Sequence, residues 1–190
     1  MKIFVISDTH DKIITPPVDF DASIHLGDAI EYFANKKSIQ ACVDAFRQYT
    51  YTCIGNHEEM LLKALLIPFP DEKIILHDDS RIWLRQLRRQ PVRKITIDSV
   101  KIRISHYIVA DPVTIAAEPS NEPFAVLNLA KSAEFNIVMY GHTHFQYEQK
   151  ISNVWFVNPG NGERGEYAEI NIENSKIISI ELKTIKTLSR

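Results

Sequence analysis

Five short polar segments, each placed directly after an apolar run, constrain the fold of this chain most. The apolar runs at residues 2–7, 24–26, 51–54, 101–105 and 137–140 are short and rich in β-branched residues, as buried strands are. Because loops at the ends of parallel strands cluster at one edge of a sheet, we expect the polar segments to lie together. The segments are Asp8-Thr9-His10, Gly27-Asp28, Gly55-Asn56-His57-Glu58, Ser105-His106 and Gly141-His142-Thr143-His144.

The remaining apolar patterns predict how the chain is organised around these segments. Helical spacing predicts helices at residues 38–49, 58–66, 81–89 and 124–133, and further strands are expected at 92–97, 145–151, 155–157, 167–172 and 177–182. No repeat, low-complexity tract or linker interrupts this alternation. We therefore predict an α/β fold in which residues 1–190 form a single domain and each half of the chain contributes one sheet.

The composition of the chain limits its partners. The 190 residues carry 22 basic and 24 acidic side chains, a formal charge of -2, so no global field favours nucleic acid or an anionic membrane. No apolar stretch approaches the roughly 20 residues that span a bilayer, and the first residues lack the pattern of a signal peptide. Cys42 and Cys53 form no C-x-x-C pair and are expected to be reduced. We expect a cytoplasmic protein without a membrane partner, and a homo-oligomer is possible.

The residue types in the five segments are those that bind divalent metals. Five of the seven histidines lie there, and although any one could be an ordinary hydrogen-bonded residue, five coincidences together are hard to explain structurally. Carboxylate, imidazole and amide oxygen without thiolate favour Mn²⁺, Fe or Zn²⁺. Two ions about 3.5 to 4 Å apart need roughly seven protein ligands, one carboxylate being shared. His57 then remains as a candidate general acid. The seven candidate ligands are Asp8, His10, Asp28, Asn56, His106, His142 and His144.

The same segments resemble the ordered motifs of the calcineurin-like metallophosphoesterase superfamily, which are D-x-H, G-D, G-N-H-[ED], [GS]-H and G-H-x-H. They run from Asp8 to His144, about three quarters of the chain, in the order of the superfamily. The small size and the Asn158-Pro159-Gly160 segment are similar to the compact bacterial and archaeal phosphodiesterase branch. The resemblance implies a four-layer α/β/β/α fold, which is a two-sheet β-sandwich flanked by helices.

The resemblance also implies a mechanism and a role for each residue. Two divalent cations, with Mn²⁺ first and Fe, Zn²⁺ or Ni²⁺ as alternatives, would turn a bridging water into a hydroxide that attacks a small phosphate ester. Asp28 would bridge the ions, and His57 would protonate the leaving oxygen. Glu31 would orient His57 or would be a solvated carboxylate at a helix start. One ion would be held by Asp8, His10 and His144, and the other by Asn56, His106 and His142.

Two departures from the superfamily pattern bear on the substrate. Tyr32 stands where the protein phosphatase branch has an Arg that helps to grip the phosphoryl group. This argues against phosphomonoester recognition of that kind and favours a phosphodiester or a broad range of aryl phosphates. Tyr107 stands where Gly is common, and its ring would pack into a hydrophobic wall or overhang the site. The Pro-rich residues 111–123 would form a partial lid or a surface crossing. A phosphomonoesterase or protein phosphatase-like enzyme and a non-catalytic scaffold are the alternatives.

Overall fold

A five-stranded sheet carries the first three polar segments at its rim. The computed structural model describes residues 1–31, 39–66, 76–108 and 122–185. The strands of this sheet are β1 (Lys2–Ile6), β2 (Ala22–His25), β3 (Tyr51–Thr52), β9 (Glu166–Glu173) and β10 (Lys176–Thr184). Their order is β10-β9-β1-β2-β3. The strands β1, β2 and β3 run parallel, so their carboxyl ends share one edge, whereas β9 is antiparallel to β1 and β10.

The second sheet brings the other two polar segments to the same end of the molecule. Its strands are β4 (Val92–Ile97), β5 (Val100–Ser105), β6 (Ile137–Met139), β7 (Gln146–Ile151) and β8 (Val154–Pro159). They follow the order β4-β5-β6-β8-β7. The central strands β5, β6 and β8 are parallel, and β4 and β7 close the two edges as antiparallel hairpin partners.

The main core lies between the two sheets. Ile3 and Val5 of β1 and Ile24 of β2 belong to the same apolar cluster as Ile102 and Ile104 of β5, and all five side chains are fully buried. Side chains alternate between the faces of a strand, so every second residue of each of these strands contributes to this cluster. The apolar cluster therefore holds the two sheets together beneath the rim that carries the polar segments.

Helices cover the outer faces of both sheets. They are α1 (Ile39–Phe46), α2 (Asn56–Ala64), α3 (Asp78–Arg88) and α4 (Glu122–Ser132). The first three share an apolar cluster, and the Phe46 ring of α1 meets the His25 ring of β2 with 4.7 Å between centroids. Helix α4 packs on the second sheet through Ala125 and Leu129, in one cluster with Phe156. The resulting order of helix, sheet, sheet and helix confirms the predicted four-layer α/β/β/α fold.

The predicted elements are confirmed, but one feature of the predicted topology is wrong. Each predicted helix and strand is present with its ends shifted by a few residues. The two halves of the chain do not each contribute a sheet, because β9 and β10 return from the end of the chain to the first sheet. The buried strand β1 has two edges to satisfy, and β9 occupies the edge that β2 leaves open. A 3-10 turn at Gly162–Arg164 was not predicted.

Further expectations concern membrane helices, the two cysteines, Tyr32 and residues 111–123. None of the helices in the described ranges is long and apolar enough to cross a membrane. Cys42 and Cys53 are both buried free thiols, as expected. Tyr32 lies outside the described residues, and so do residues 111–121 of the segment for which a lid or a surface crossing is predicted. Glu122 and Pro123 belong to α4.

Candidate metal centre

The loops that follow the strands have a strained backbone at the predicted ligands. Residues other than Gly rarely adopt a positive φ, although Asp and His tolerate it better than most. Hydrogen bonds between neighbouring loops hold these turns, since the Asp8 N–H donates to the Gly27 carbonyl and the Gly141 N–H to the His106 carbonyl, both at 3.0 Å. The positive φ angles are 56° at Asp8, 41° at His10, 53° at Asp28, 70° at His142 and 59° at His144.

Asp8, His10 and His144 form a first ligand group, whose candidate ligand atoms all lie within 4.8 Å of one another. Nε2 of His144 lies 3.3 Å from Asp8 Oδ1 and 3.2 Å from His10 Nε2. Asp8 is fully buried, and its Oδ1 accepts no hydrogen bond from the residues that the structure describes. The Asp8 carboxylate raises the pKa of His144, against the effect of burial. A buried carboxylate oxygen that lacks a donor and faces imidazole nitrogen fits a bound cation.

Asp28, His106 and His142, together with the amide of Asn56, form a second ligand group. Nε2 of His106 lies 3.2 Å from Asp28 Oδ2 and 3.1 Å from Asn56 Oδ1, and His142 Nδ1 lies 3.2 Å from the same amide oxygen. Burial lowers the pKa of His106, but the Asp28 carboxylate raises it to about 9. For Asp28 the effects are reversed: burial raises its pKa, but His106 holds the pKa well below its usual range. Burial lowers the pKa of His142.

One ring of the second group is held in a defined tautomer. His106 Nδ1 lies 2.8 Å from the carbonyl oxygen of Leu26. A carbonyl can only accept, so Nδ1 carries the proton in the neutral ring and Nε2 presents its lone pair to the second ligand group. An outer hydrogen bond of this kind is what orients a metal-binding histidine.

Glu31 lies between two imidazoles. Its Oε1 is 3.2 Å from His57 Nδ1, and its Oε2 is 3.1 Å from His10 Nδ1. The second contact is not aligned as a hydrogen bond, because His10 Nδ1 has no hydrogen-bond partner among the described residues. The rings of His10 and His57 are 4.9 Å apart between centroids. Of the two interpretations left open by the sequence, this geometry favours the orienting one, since the carboxylate reaches His57.

Asp28 lies beside both His106 and His57 but is grouped with the second set of ligands alone. Its Oδ1 accepts the backbone N–H of His57 at 2.9 Å, and its Oδ2 faces His106. The two ligand groups are nevertheless adjacent, because the His142 N–H donates to Asp8 Oδ2 at 3.1 Å. A shared role for Asp28 between two ions stays a prediction.

Comparison with known proteins shows the family to which this fold belongs. The model of the calcineurin-like phosphoesterase superfamily domain matches residues 1–173. This chain belongs to that superfamily. The phosphodiesterase MJ0936 of Methanocaldococcus jannaschii is 27% identical to it over 199 residues, covering 91% of this chain and 100% of that protein.

Solved structures of this phosphoesterase fold are also similar to the chain. An archaeal phosphodiesterase has a TM-score of 0.58 at 17% identity, covering 97% of this chain and 100% of that one. A predicted phosphoesterase from Streptococcus pneumoniae has a TM-score of 0.53 at 17% identity, covering 96% and 88%. Vps29 from Entamoeba histolytica in complex with Zn²⁺ has a TM-score of 0.51 at 14% identity, covering 97% and 98%. These likenesses concern the fold.

The buried carboxylate of Glu58 joins two of the ligand loops of this phosphoesterase. The motifs alone assigned no role to this residue. Glu58 is fully buried on the first turn of α2. Its Oε2 accepts the N–H groups of Asp28 at 3.0 Å and Gly55 at 2.8 Å, and its Oε1 accepts those of Ala29 at 2.8 Å and Ile30 at 3.1 Å. In the sequence, only its place as the last residue of the Gly-Asn-His-Glu segment could have indicated this role.

Two further residues, His25 and Asn161, contact the ligand loops of the phosphoesterase. His25 accepts the Gly27 N–H at Nδ1 (3.2 Å), and its Nε2 lies 3.1 Å from Thr9 Oγ1. Burial lowers its pKa to about 3, so the ring is neutral at pH 7. Asn161 Nδ2 lies 3.4 Å from His144 Nδ1. His25 lies outside all five motifs, and Asn161 lies beyond the last of them, so the motifs gave no indication of either contact.

Tyr107 overhangs the second ligand group, which is one of the two placements that the sequence left open. Its ring lies 4.5 Å from the His142 ring and 5.0 Å from the His106 ring, measured between centroids. The hydroxyl donates to Asn56 Oδ1 at 3.1 Å. Burial raises the pKa of Tyr107, and the acidic side chains nearby add to the effect.

Proposed function

We propose that this phosphoesterase binds two divalent cations and hydrolyses phosphodiesters of small substrates with water. The observation that carries the proposal is the convergence of the two ligand groups at one rim of the fold, joined by the bond from the His142 N–H to Asp8. We also infer that residues 1–190 form one domain, since β10 joins the sheet that β1 begins. The buried free thiols of Cys42 and Cys53 support a cytoplasmic location.

The donor set supports Mn²⁺ as the first choice of metal, with Fe, Zn²⁺ or Ni²⁺ as alternatives. Both groups offer carboxylate oxygen and imidazole nitrogen, the second adds the Asn56 amide oxygen, and neither contains a thiolate. When bound, the cations would supply an activated water and neutralise charge on the phosphoryl oxygens. The first ion would be held by Asp8, His10 and His144, the second by Asn56, His106 and His142, and Asp28 would be shared.

His57 and Glu31 support the protonation of the leaving oxygen. His57 lies on the first turn of α2, where its backbone N–H is bonded to Asp28 and its Nδ1 faces Glu31. A carboxylate next to Nδ1 holds the ring orientation and stabilises the imidazolium. Nε2 is then the nitrogen that donates the proton to the leaving alcohol, with His57 as general acid and Glu31 as its orienting partner.

Two observations favour a phosphodiester over a phosphomonoester. Tyr32 occupies the position of the Arg that helps to grip the phosphoryl group in the protein phosphatase branch. The chain is also similar over nearly its whole length to a protein of Methanocaldococcus jannaschii named a phosphodiesterase. A phosphomonoesterase is the second candidate, because the same ligand set serves both kinds of ester.

Hydrolysis of a nitrophenyl diester and of the corresponding monoester tests the proposal. We expect the Mn²⁺-loaded protein to turn over the diester faster, to lose this activity with a chelator and to regain it with Mn²⁺. The His142→Ala variant is the matched inactive control. A faster rate on the monoester would make the protein a phosphomonoesterase. Hydrolysis of neither ester, with Mn²⁺ bound, would favour a non-catalytic scaffold.

A further inference from the structure

Tyr107 contacts three members of the second ligand group with one side chain. Its hydroxyl donates to Asn56 Oδ1 at 3.1 Å, and its ring lies against His142 at a tilt of 58° and against His106 at 77°. The side chain is half-buried where it lies over the site. A Gly at this position, common in the superfamily, would make none of these contacts.

The Asn56 amide oxygen has three polar neighbours, two imidazole nitrogens and one hydroxyl. His106 Nε2 lies 3.1 Å away, His142 Nδ1 lies 3.2 Å away, and the Tyr107 hydroxyl completes the set. An imidazole nitrogen that binds a cation does so through its lone pair, so it has no proton left to donate. The two histidine contacts therefore cannot be hydrogen bonds when these nitrogens bind metal.

The hydrogen bond from the Tyr107 hydroxyl to Asn56 is compatible with a bound cation. A phenol keeps its proton at neutral pH and can donate to an amide oxygen whose second lone pair is bound to a cation. An Asn side chain otherwise rotates about its last bond and exchanges its oxygen for its NH₂ group, which cannot bind a cation. A donor that stays in place fixes the oxygen toward the ligand group.

We propose that Tyr107 is a positioning residue of the second metal subsite, which holds the Asn56 oxygen and the His142 ring in the orientation that binds the cation. The inference rests on the proposed function, since it needs a metal at the second ligand group. Loss of the hydroxyl should weaken binding of the second ion and leave the first ion unchanged. The first ligand group of Asp8, His10 and His144 supplies the internal reference.

Calorimetric titration of the metal-free full chain with Mn²⁺ tests the inference. The wild type should show two binding events, and Tyr107→Phe should weaken one of them about tenfold, as expected for loss of an outer-shell hydrogen bond. The variant His144→Ala isolates the second subsite, and His142→Ala isolates the first. Tyr107→Phe should weaken the remaining event in the His144→Ala background and leave it unchanged in the His142→Ala background.

Controls separate this effect from a general disturbance of the fold. Tyr147→Phe removes the hydroxyl of another half-buried tyrosine, which donates to Gln149 on β7, and should change neither event. Equal weakening of both events, or unchanged binding in the His144→Ala background, would overturn the role of Tyr107. Two intact events without hydrolysis of any ester would overturn the proposed function instead. A wild type that binds no Mn²⁺ would overturn both.

Discussion

The buried carboxylate of Glu58 accepts the backbone N–H of Asp28 at 3.0 Å, and thereby ties the helix that begins at Asn56 to the loop that follows β2. Glu58→Gln replaces one acceptor oxygen with an NH₂ group that faces backbone donors. We expect a loss of about 3 kcal/mol in the free energy of unfolding, in the range of hydrogen bonds to charged groups. For a chain of this size that corresponds to a melting temperature lower by roughly 6–12 °C.

The neighbouring Glu59→Gln variant is the control for this experiment, because Glu59 is partly exposed on the same helix turn. Thermal unfolding of the metal-free proteins separates the two variants without any contribution from bound ions. Equal melting temperatures for the two variants would remove Glu58 from its role as the link between the loops.

Asp28→Asn tests whether one carboxylate serves both ions. The amide can still accept the His57 N–H, so the fold should be kept, but it binds cations more weakly than a carboxylate. We expect both Mn²⁺-binding events to weaken at least tenfold and hydrolysis to fall with them. Asp19→Asn, in an exposed side chain, is the control. Weakening confined to the subsite of His106 and His142 would limit Asp28 to the second group, where its contacts already lie.

His57→Ala should reduce the rate without loss of metal. A general acid matters most for esters whose alcohol is a poor leaving group, so we expect a decrease of roughly 10²–10⁴-fold for an alkyl ester and a much smaller one for a nitrophenyl ester. Steady-state kinetics on a series of diesters with alcohols of different pKa measures this dependence. His77→Ala, an exposed histidine at the start of α3, provides the comparison. An equal decrease for all leaving groups would assign His57 to substrate binding.

His25 should make the metal-free protein less stable at acid pH. Burial lowers its pKa from 6.5 to about 3 in the folded state. The unfolded chain therefore binds the proton more readily between these values, so the stabilisation is complete above pH 6.5 and is lost as the pH falls toward 3. From this residue alone we expect a loss of about 2 kcal/mol between pH 7.5 and pH 5.

Urea unfolding at the two pH values measures this effect. His25→Gln should reduce the pH dependence, and His77→Gln should retain it, because His77 is exposed. The reason for the effect is local. In the neutral ring Nδ1 of His25 accepts the Gly27 N–H, whereas a protonated Nδ1 would carry its own N–H facing that donor. A His25→Gln protein with the pH dependence of the wild type would contradict the assignment.

The order of helices and strands was predictable because each element carries its own apolar period. The runs at β1, β5 and β6 and the helical spacing of α1 and α3 are local patterns, and they gave the correct elements. The position of β9 beside β1 was not predictable in this way. Its pairing joins Ile3 to Ile170, far apart in the chain, and a strand pattern does not specify its partner.

Residue types and their places after strands were enough to predict that these side chains meet at one rim as candidate metal ligands, because ligand identity is a property of the side chain and parallel strands bring their ends together. The prediction of a phosphoesterase came from the ordered motifs that resemble the superfamily. Only the tertiary structure decided that Tyr107 lies over His142 rather than in a hydrophobic wall, and that Glu58 and His25 support the loops. These relations depend on side-chain directions and on contacts between residues as far apart as Asp8 and His142, which no local pattern in the sequence encodes.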